Sequence, residues 1–448
     1  MKIPVKPPNY EDLLMSMTFD VFEDVGSSNA VDNKNRYLHW DKLRHLKAPD
    51  GVSHEIWWFK TKMARKTLYR TVPLMDKAGK PFQFATPDSV LSGLHWLDRF
   101  AAGNIQVENA ITNPSTRDTY LIRSLIEEAI NSSQLEGAST TRDVAKEMIR
   151  QDRSPEDKSE QMILNNYQAM QFIRDIKDEN LSPSIVFELQ KILTQKTMDE
   201  SAVGRFRTEK DQIHVVDNVT QNYLHTPPSV TELPARMEAL CEFANHDAES
   251  ETNSTFTHPV VQAIILHFML AYDHPFYDGN GRTARALFYW AMAKQGYWLT
   301  EFISISRVIK QAPVQYGKAF LYTETDDNDL TYFLIHQLEV IHKAVDALHV
   351  FLDEKIRGID EAERLLTDNP RLNGKLNFRQ LALLRHALKH PRFSYVVQEH
   401  QRSHGISYDV ARKDLLQMAD KLNLLIKTKQ GKRYFFVVPN DLEKRIAN

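Results

Sequence analysis

Cysteine is almost missing from this chain of 448 residues: Cys241 stands alone. That excludes an intrachain disulfide framework and matches the usage of a reducing compartment, so a cytoplasmic setting is expected. Long apolar runs are missing too. The opening Met1-Lys2-Ile3-Pro4-Val5-Lys6-Pro7-Pro8 has no apolar core of signal-peptide length, and no stretch approaches a membrane span, so no role inside a membrane is expected. There is no internal repeat or low-complexity tract. Net charge is small, −3, but unevenly placed. Residues 371–448 carry 16 Lys and Arg against 6 Asp and Glu, a local +10 on a body of −13, which suggests a separate partner for the C-terminal end. Hydrophobic residues at 42% and charged residues at 26% are ordinary for a folded chain long enough for two or three domains.

The densest stretch of chemistry runs from His274 to Arg285, His-Pro-Phe-Tyr-Asp-Gly-Asn-Gly-Arg-Thr-Ala-Arg. Ahead of it, Thr257 can cap a helix with Val261, Ile264, Ile265, Phe268 and Ala271 on its buried face, which places His274 near that helix's end. Gly279-Asn280-Gly281 is a small-residue turn that lets the backbone approach an anion. A second helix reads from Arg282 through Ala284, Leu287, Trp290 and Ala291, so the turn opens onto a helix N-terminus, where phosphates bind. Arg282 and Arg285, three apart, share a side of that helix and can point at one ligand. Asp278 offers the oxygen that magnesium prefers, with nucleotide phosphates completing the shell. Taken singly, a histidine at a helix end or an Asp-Gly-Asn-Gly run is usually structural. Together they are a set for handling a nucleoside triphosphate.

Read as a whole, the string resembles without a mismatch the signature of the Fic family, His-Pro-Phe-x-Asp/Glu-Gly-Asn-Gly-Arg-x-x-Arg. The resemblance implies an Mg-dependent nucleotidyltransferase, a protein adenylyltransferase that moves AMP from ATP to a hydroxyl side chain. It implies His274 as the general base, Asp278 as the magnesium ligand, Gly279, Asn280 and Gly281 as the anion hole, with Arg282 beside them, and Arg285 as the clamp on the γ-phosphate. Upstream, a helix expected over Thr119–Ser133, with Leu121, Leu125, Ala129 and Ile130 on one face, runs into Ser132-x-x-x-Glu136-Gly137. An acid at a helix C-terminus opposes the dipole. The string resembles the family's inhibitory motif, which implies that Glu136 pairs with Arg285 and occupies the place the γ-phosphate needs.

Other segments are read more coarsely. Residues 1–95 mix aromatics with cations at Tyr37–Arg44 and Glu55–Lys60; this describes a nucleic-acid or peptide surface or, as we prefer, packing onto the main body. A helix starts near Pro87 with Val90, Leu94, Leu97 and Phe100 on one face, and further helices follow over 159–173 and 182–195, the latter capped by Ser182. Gln212-Ile213-His214-Val215-Val216 is β-prone. The resemblance implies a hairpin flap over about 207–216, with Gln212, Ile213, His214 and Val215 registering a target polypeptide as an added strand; the residues read equally as a short structural hairpin without substrate contact. Tyr316 is placed against the adenine or, equally, in the core. A helix from Thr331 through Leu334, Leu338, Ile341 and Leu348 closes the bundle before a linker at 368–370.

Beyond the linker, Phe378, Leu381, Leu384 and Leu388 form one helical face, and a shorter helix follows over Val397–Ser403. Ser407 then caps a helix burying Tyr408, Ala411, Leu415, Met418 and Leu422. Two β-prone runs, 424–426 and 434–438, flank Lys429-Gln430-Gly431-Lys432-Arg433. That order is expected of a winged helix-turn-helix, either binding DNA, with Arg412 and Lys413 facing a groove and Lys429, Lys432 and Arg433 meeting phosphates, or equally serving protein docking or dimerisation.

The expected class is therefore mainly α: a Fic-type helical bundle with a small β-hairpin flap over 96–365, an N-terminal extension over 1–95, the inhibitory helix at about 119–137, and the winged module over 371–448. The expected partners are ATP, magnesium, a protein target with the chain itself as one candidate, duplex DNA through 371–448, and a second copy of the chain. Two alternatives stay open: removal of AMP in the same site, and a DNA-binding regulator whose core senses nucleotide.

Overall fold

The computed structural model describes residues 1–16, 29–102, 114–217, 220–246, 256–367, 372, 374–390, 392–430 and 433–447. They fall into two compact units, Met1–Leu348 and His349–Asn448.

The first unit opens with helices α1 (Tyr10–Ser16), α2 (Trp40–Leu43) and α3 (His54–Lys66), a hairpin of β1 (Arg70–Met75) and β2 (Pro81–Phe84), and α4 (Asp88–Leu97). Then come α5 (Pro114–Leu135), α6 (Arg142–Arg150), α7 (Lys158–Asp175) and α8 (Pro183–Thr194), followed by the two short antiparallel strands β3 (Val215–Val216) and β4 (Tyr223–His225). Helices α9 (Leu233–Ala244), α10 (Pro259–Asp273), α11 (Asn280–Lys294), α12 (Ile305–Gln311) and α13 (Pro313–Thr325) follow, and α14 (Thr331–Thr367) begins in this unit and continues past Leu348 into the residues of the second.

Helix α10 is the axis of this unit. Every residue from Val260 to Asp273 except Ala271 is buried, which fits a helix apolar on all sides. Its cap is His258, whose side chain accepts from the Val260 N–H, with Pro259 at the first helical position; the expected cap, Thr257, lies one residue too early. Helix α11 packs against α10, α7 and α8, and α5 packs against α7 and α12. Helix α8 begins as expected, with the Ser182 hydroxyl accepting from the Ile185 N–H and Pro183 at the first position.

The aromatic and cationic residues of the N-terminal region turn inward. Trp58 and Phe59 are buried. Lys62 Nζ sits 2.6 Å from Asp326 Oδ1, and Arg65 donates to the carbonyls of Ala30 and Leu38 and to the Tyr332 hydroxyl. Tyr37 and Tyr69 both donate to Asp329 Oδ2, at 2.6 and 2.8 Å. Burial opposes ionisation of Asp326, but Lys62 beside it still holds its carboxyl below the usual range.

The second unit contains α15 (Phe378–Lys389), β5 (Ser394–Tyr395), α16 (Val397–His404), α17 (Tyr408–Leu416), β6 (Ile426–Gln430), β7 (Arg433–Val437) and α18 (Leu442–Ala447). Its sheet is antiparallel in the order β5-β7-β6, with Ile426 opposite Val437 and Gln430 opposite Arg433. Leu384, Leu415, Met418 and Phe436 are in its core. Two expected core residues are not. Phe378 is 71% exposed and Tyr408 45% exposed, because each stands on the first turn of its helix while Leu383, Leu384 and Ala387, or Ala411 and Leu415, face the core.

Candidate active site

His274 ends α10 in the left-handed region, at φ 45° and ψ 54°. A non-glycine residue is held there only when its neighbours fix it. Arg207 does this: its Nε donates to the His274 carbonyl at 2.8 Å, its Nη2 to the Pro228 carbonyl at 2.6 Å, and its backbone N–H to the Pro275 carbonyl at 2.8 Å. The imidazole Nδ1–H donates to the Ala271 carbonyl at 3.3 Å, which leaves the Nε2 lone pair as the proton acceptor. Burial pushes the imidazole down to about 4, so the ring is neutral at neutral pH.

The loop that follows is a closed turn. Asn280 clamps it, with Oδ1 accepting from the Phe276 N–H and Nδ2 donating to the Phe276 carbonyl, both at 2.9 Å. Phe276 is fully buried beneath it. Gly279 is required in two ways: its φ is +86°, and a Cβ would lie 2.8 Å from Thr194 Cγ2. Helix α11 starts at Asn280, two residues before the expected Arg282. The Asp278 carboxylate is 42% exposed, with Oδ1 accepting from the Gly279 N–H at 2.5 Å and from Arg282 Nη2 at 3.1 Å.

The two arginines part company. Arg282 was expected to share a ligand with Arg285, but it is buried against α8, donating through Nη1 to the Leu193 carbonyl at 2.9 Å and through Nη2 to Asp278. Arg285 points the other way, to the end of α5. Its Nε donates to Ser132 Oγ at 2.9 Å, and its Nη2 to the Ser132 carbonyl at 3.1 Å and to Glu136 Oε1 at 2.9 Å. The structure thus brings Glu136 and Arg285 together from positions 149 residues apart. Gly281 makes room for this: a Cβ on it would lie 2.3 Å from Glu136 Oε1.

These groups face one cavity of ≈ 220 Å³, lined by Glu136, His274, Gly281 and Arg285 together with Tyr316 and Phe320 of α13. Tyr316, expected against the adenine or in the core, has a foot in both places. It lines the cavity, while its hydroxyl meets His267 Nε2 at 2.8 Å. Burial holds His267 well below its usual pKa. From the β-prone stretch only Val215 reaches the cavity, and only Val215–Val216 is strand. Glu209–Asp211 form a 3-10 turn and Gln212 is left-handed at φ 44°, which breaks the strand; Ile213 and His214 lie between, and the His214 ring meets Tyr223. In the C-terminal unit Arg412, Lys413, Lys429 and Arg433 are exposed, while Lys432 lies outside the described residues.

Sequence reasoning missed Arg207, and also Gln190, whose Nε2 donates to the Asp278 carbonyl at 3.1 Å. It missed His225 and Glu324, which line the cavity as a pair. Met1 lines it as well.

Residues 180–292 match the model of the Fic/DOC family. The chain is 24% identical over 202 residues to a protein adenylyltransferase Fic of Nematostella vectensis, covering 44% of this chain and 42% of that protein. It is 40% identical over 73 residues to the protein of the same name from Drosophila melanogaster, covering 16% and 14%. The chain thus spans less than half the length of these curated relatives. Similar solved structures include a Fic family protein from Desulfovibrio desulfuricans G20, at 18% identity and TM-score 0.49, covering 78% of this chain and 95% of that one. Fic-1 of C. elegans is 20% identical with a TM-score of 0.42, covering 59% and 73%.

Proposed function

We propose, from the match of residues 180–292 to the Fic/DOC family model, that the chain transfers AMP from ATP to a hydroxyl side chain of a protein. The observation that carries this reading is the convergence of His274, Gly281, Arg285 and Glu136 on one cavity. His274 Nε2 takes the proton of the attacking hydroxyl. Its oxygen bonds to the α-phosphorus, the bond from that phosphorus to the bridging oxygen breaks, and pyrophosphate leaves. A neutral imidazole with its other nitrogen tied to a carbonyl suits that task. The N–H groups at the start of α11 and the Arg285 guanidinium are placed to receive phosphate charge, and such positioning accounts for most of phosphoryl-group catalysis.

Asp278 would hold a magnesium ion, which supplies charge neutralisation on the phosphates. Its exposed carboxylate suits that role, and no trio of His, Cys, Asp and Glu forms a protein cage among the described residues. The ion's shell would therefore be completed by phosphates and water, the usual magnesium arrangement.

Glu136 sets the resting state. While its carboxylate occupies Arg285 Nη2, that guanidinium is not free for a γ-phosphate, so the chain is self-inhibited. The test is to incubate wild type and Glu136→Gly with magnesium and ATP and follow the intact mass. The variant should gain one AMP and the wild type should not; an unmodified variant that binds ATP normally and strips AMP from a modified peptide would favour AMP removal in the same cavity.

The C-terminal unit supports a second role. Its order of helix, strand, helix, helix and hairpin (α15, β5, α16, α17, β6-β7) supports reading it as a winged helix-turn-helix, and Arg412, Lys413, Lys429 and Arg433 are exposed. We read it as a duplex-binding module. Charge reversal at Lys429 and Arg433 in the full chain should abolish retardation of duplex DNA in a gel. Unchanged retardation sinks the reading.

A further inference from the structure

Helix α13 has a cavity on each of two faces. Tyr316, Gly317 and Phe320 line the catalytic one, whereas Lys318, Ala319 and Tyr322 line a second, of ≈ 390 Å³, closed by the N-terminal region and by the first turns of α14. That volume is in the range of small-molecule sites. Three tyrosines face it, and two of their hydroxyls are spent: Tyr37 donates to Asp329 Oδ2 at 2.6 Å and Tyr332 to Asp326 Oδ2 at 2.7 Å. Tyr322 differs. Its residue is only 7% exposed, and its hydroxyl has no hydrogen-bond partner among the described residues. Buried hydroxyls are almost always paired, so this one asks for an acceptor that the chain does not supply. Its ring is held in place by the His39 imidazole, stacked on it at 4.5 Å and 20°. His39 is fixed in turn, with Nδ1 accepting from the Asp41 N–H at 3.1 Å and Nε2 donating to Thr325 Oγ1 at 3.2 Å.

The cations of this pocket are unspent as well. Lys318 stands one helical turn before Tyr322 on the same face of α13, and Lys42 Nζ lies 5.6 Å from the centre of the Tyr322 ring. Neither ammonium is in an ion pair among the described residues. Against them the pocket lining sets one carboxylate, Glu339. Its two imidazoles, His39 and His336, carry no charge at neutral pH, since burial pushes both down to about 4. Two ammoniums against one carboxylate leave a single positive charge to balance, and the free donors converge around Tyr322. We propose that this pocket binds a small aromatic monocarboxylate, its carboxylate accepting from the Tyr322 hydroxyl and the ammonium groups of Lys318 and Lys42, its ring against Ala319 and Ile335. Charge-assisted hydrogen bonds of this kind are the strong ones. The rings of Tyr37 and Tyr332 complete the lining and suit a flat apolar body. The proposal is independent of the nucleotide reading of the catalytic cavity.

The test titrates 2-naphthoate with the full wild-type chain and with the chain carrying Tyr322→Phe or Lys318→Met, following the fluorescence anisotropy of the probe. Its neutral relative 2-naphthamide is the comparison, and each titration is repeated with a magnesium-bound non-hydrolysable ATP analogue present. The wild type should bind 2-naphthoate saturably, bind 2-naphthamide about tenfold more weakly, and be indifferent to the ATP analogue. Each substitution should weaken 2-naphthoate by about fivefold or more and leave 2-naphthamide unchanged. Tyr322→Phe removes a hydroxyl that no protein group needs, so its Tm should not fall, and lost binding is then not lost folding. The proposal is overturned by the absence of saturable binding, by equal affinity for acid and amide, by unchanged affinity in either variant, by displacement with the ATP analogue, or by a lower Tm in Tyr322→Phe.

Discussion

Arg285 spends three donor contacts on Ser132 and Glu136, so on the proposed mechanism one side chain serves both the resting and the working state. Replacing it should remove both at once. In Arg285→Ala, affinity for the ATP analogue should fall at least tenfold, the order expected when a charge-assisted bidentate contact is lost. Adding Glu136→Gly to it should restore nothing. If Arg285→Ala binds and transfers as well as Glu136→Gly does, Arg285 has no phosphate role. His274 carries a pH prediction. With its imidazole pushed down to about 4 by burial, the base is unprotonated above that value and is lost as pH falls through it. In Glu136→Gly, kcat/KM, which reports the free enzyme, should therefore show no loss around pH 6.5, where an ordinary histidine titrates, and should fall only near pH 4. A loss of kcat/KM centred near 6.5 would contradict the burial argument.

At the scale of elements, the site is a helix end, a turn and a helix start, tied to two distant segments. Arg207 is the tie that holds the left-handed end of α10. In Arg207→Ala, on the Glu136→Gly background, AMP transfer should drop about a hundredfold, the scale of a small misplacement of a catalytic group, with helical circular dichroism unchanged. Equal activity would show that Pro275 and Phe276 fix the turn alone. Helix α5, which ends at Leu135 just before Glu136, is anchored by Glu128, which accepts from the Tyr289 hydroxyl at 2.9 Å and the Ser304 hydroxyl at 2.7 Å.

These ties show what sequence can and cannot disclose. Residues 274–285 were readable because the turn and helix start they form are contiguous. Glu136 and Arg285 were paired in advance only through a family resemblance, since nothing local links residues so far apart. Arg207 and Gln190 act through backbone carbonyls 67 and 88 residues away, and such contacts leave no side-chain pattern. His225 sits in an unremarkable Tyr-Leu-His, and its partner lies 99 residues on. The strand expected over Gln212–Val216 failed for a local reason: the Thr208–Asp211 capping box closes a turn that β propensity does not register. Periodicity located α15 and α17 correctly but misjudged Phe378 and Tyr408, because the first turn of a helix can project past its own core.

Across the whole molecule, the region before α4 is bound into the first unit by ionic contacts as well as apolar ones. Lys62 and Asp326 are almost wholly buried, at 1% and 2% side-chain exposure. Without Lys62, Asp326 keeps only the Tyr332 hydroxyl at 2.7 Å and Arg65 Nη1 at 4.0 Å, and breaking a buried pair costs up to about 3–5 kcal/mol. Lys62→Met should therefore lower Tm by several degrees in calorimetry, and Lys62→Met/Asp326→Leu should recover much of the loss. An unchanged Tm for the single variant would mean that Arg65 and Tyr332 compensate Asp326 without Lys62. The positive C-terminal unit, on a chain whose net charge is only −3, is the one large charge asymmetry of the molecule, and ionic strength should govern whatever it binds.

The most direct test of the central claim uses two radiolabels. Wild type, Glu136→Gly and Glu136→Gly/His274→Ala are each incubated with magnesium and either α- or γ-labelled ATP, and protein-bound label is counted. AMP transfer restrained by Glu136 and catalysed by His274 predicts α-label on Glu136→Gly alone and γ-label on none. γ-Label on any variant, or α-label that persists without His274, would contradict it.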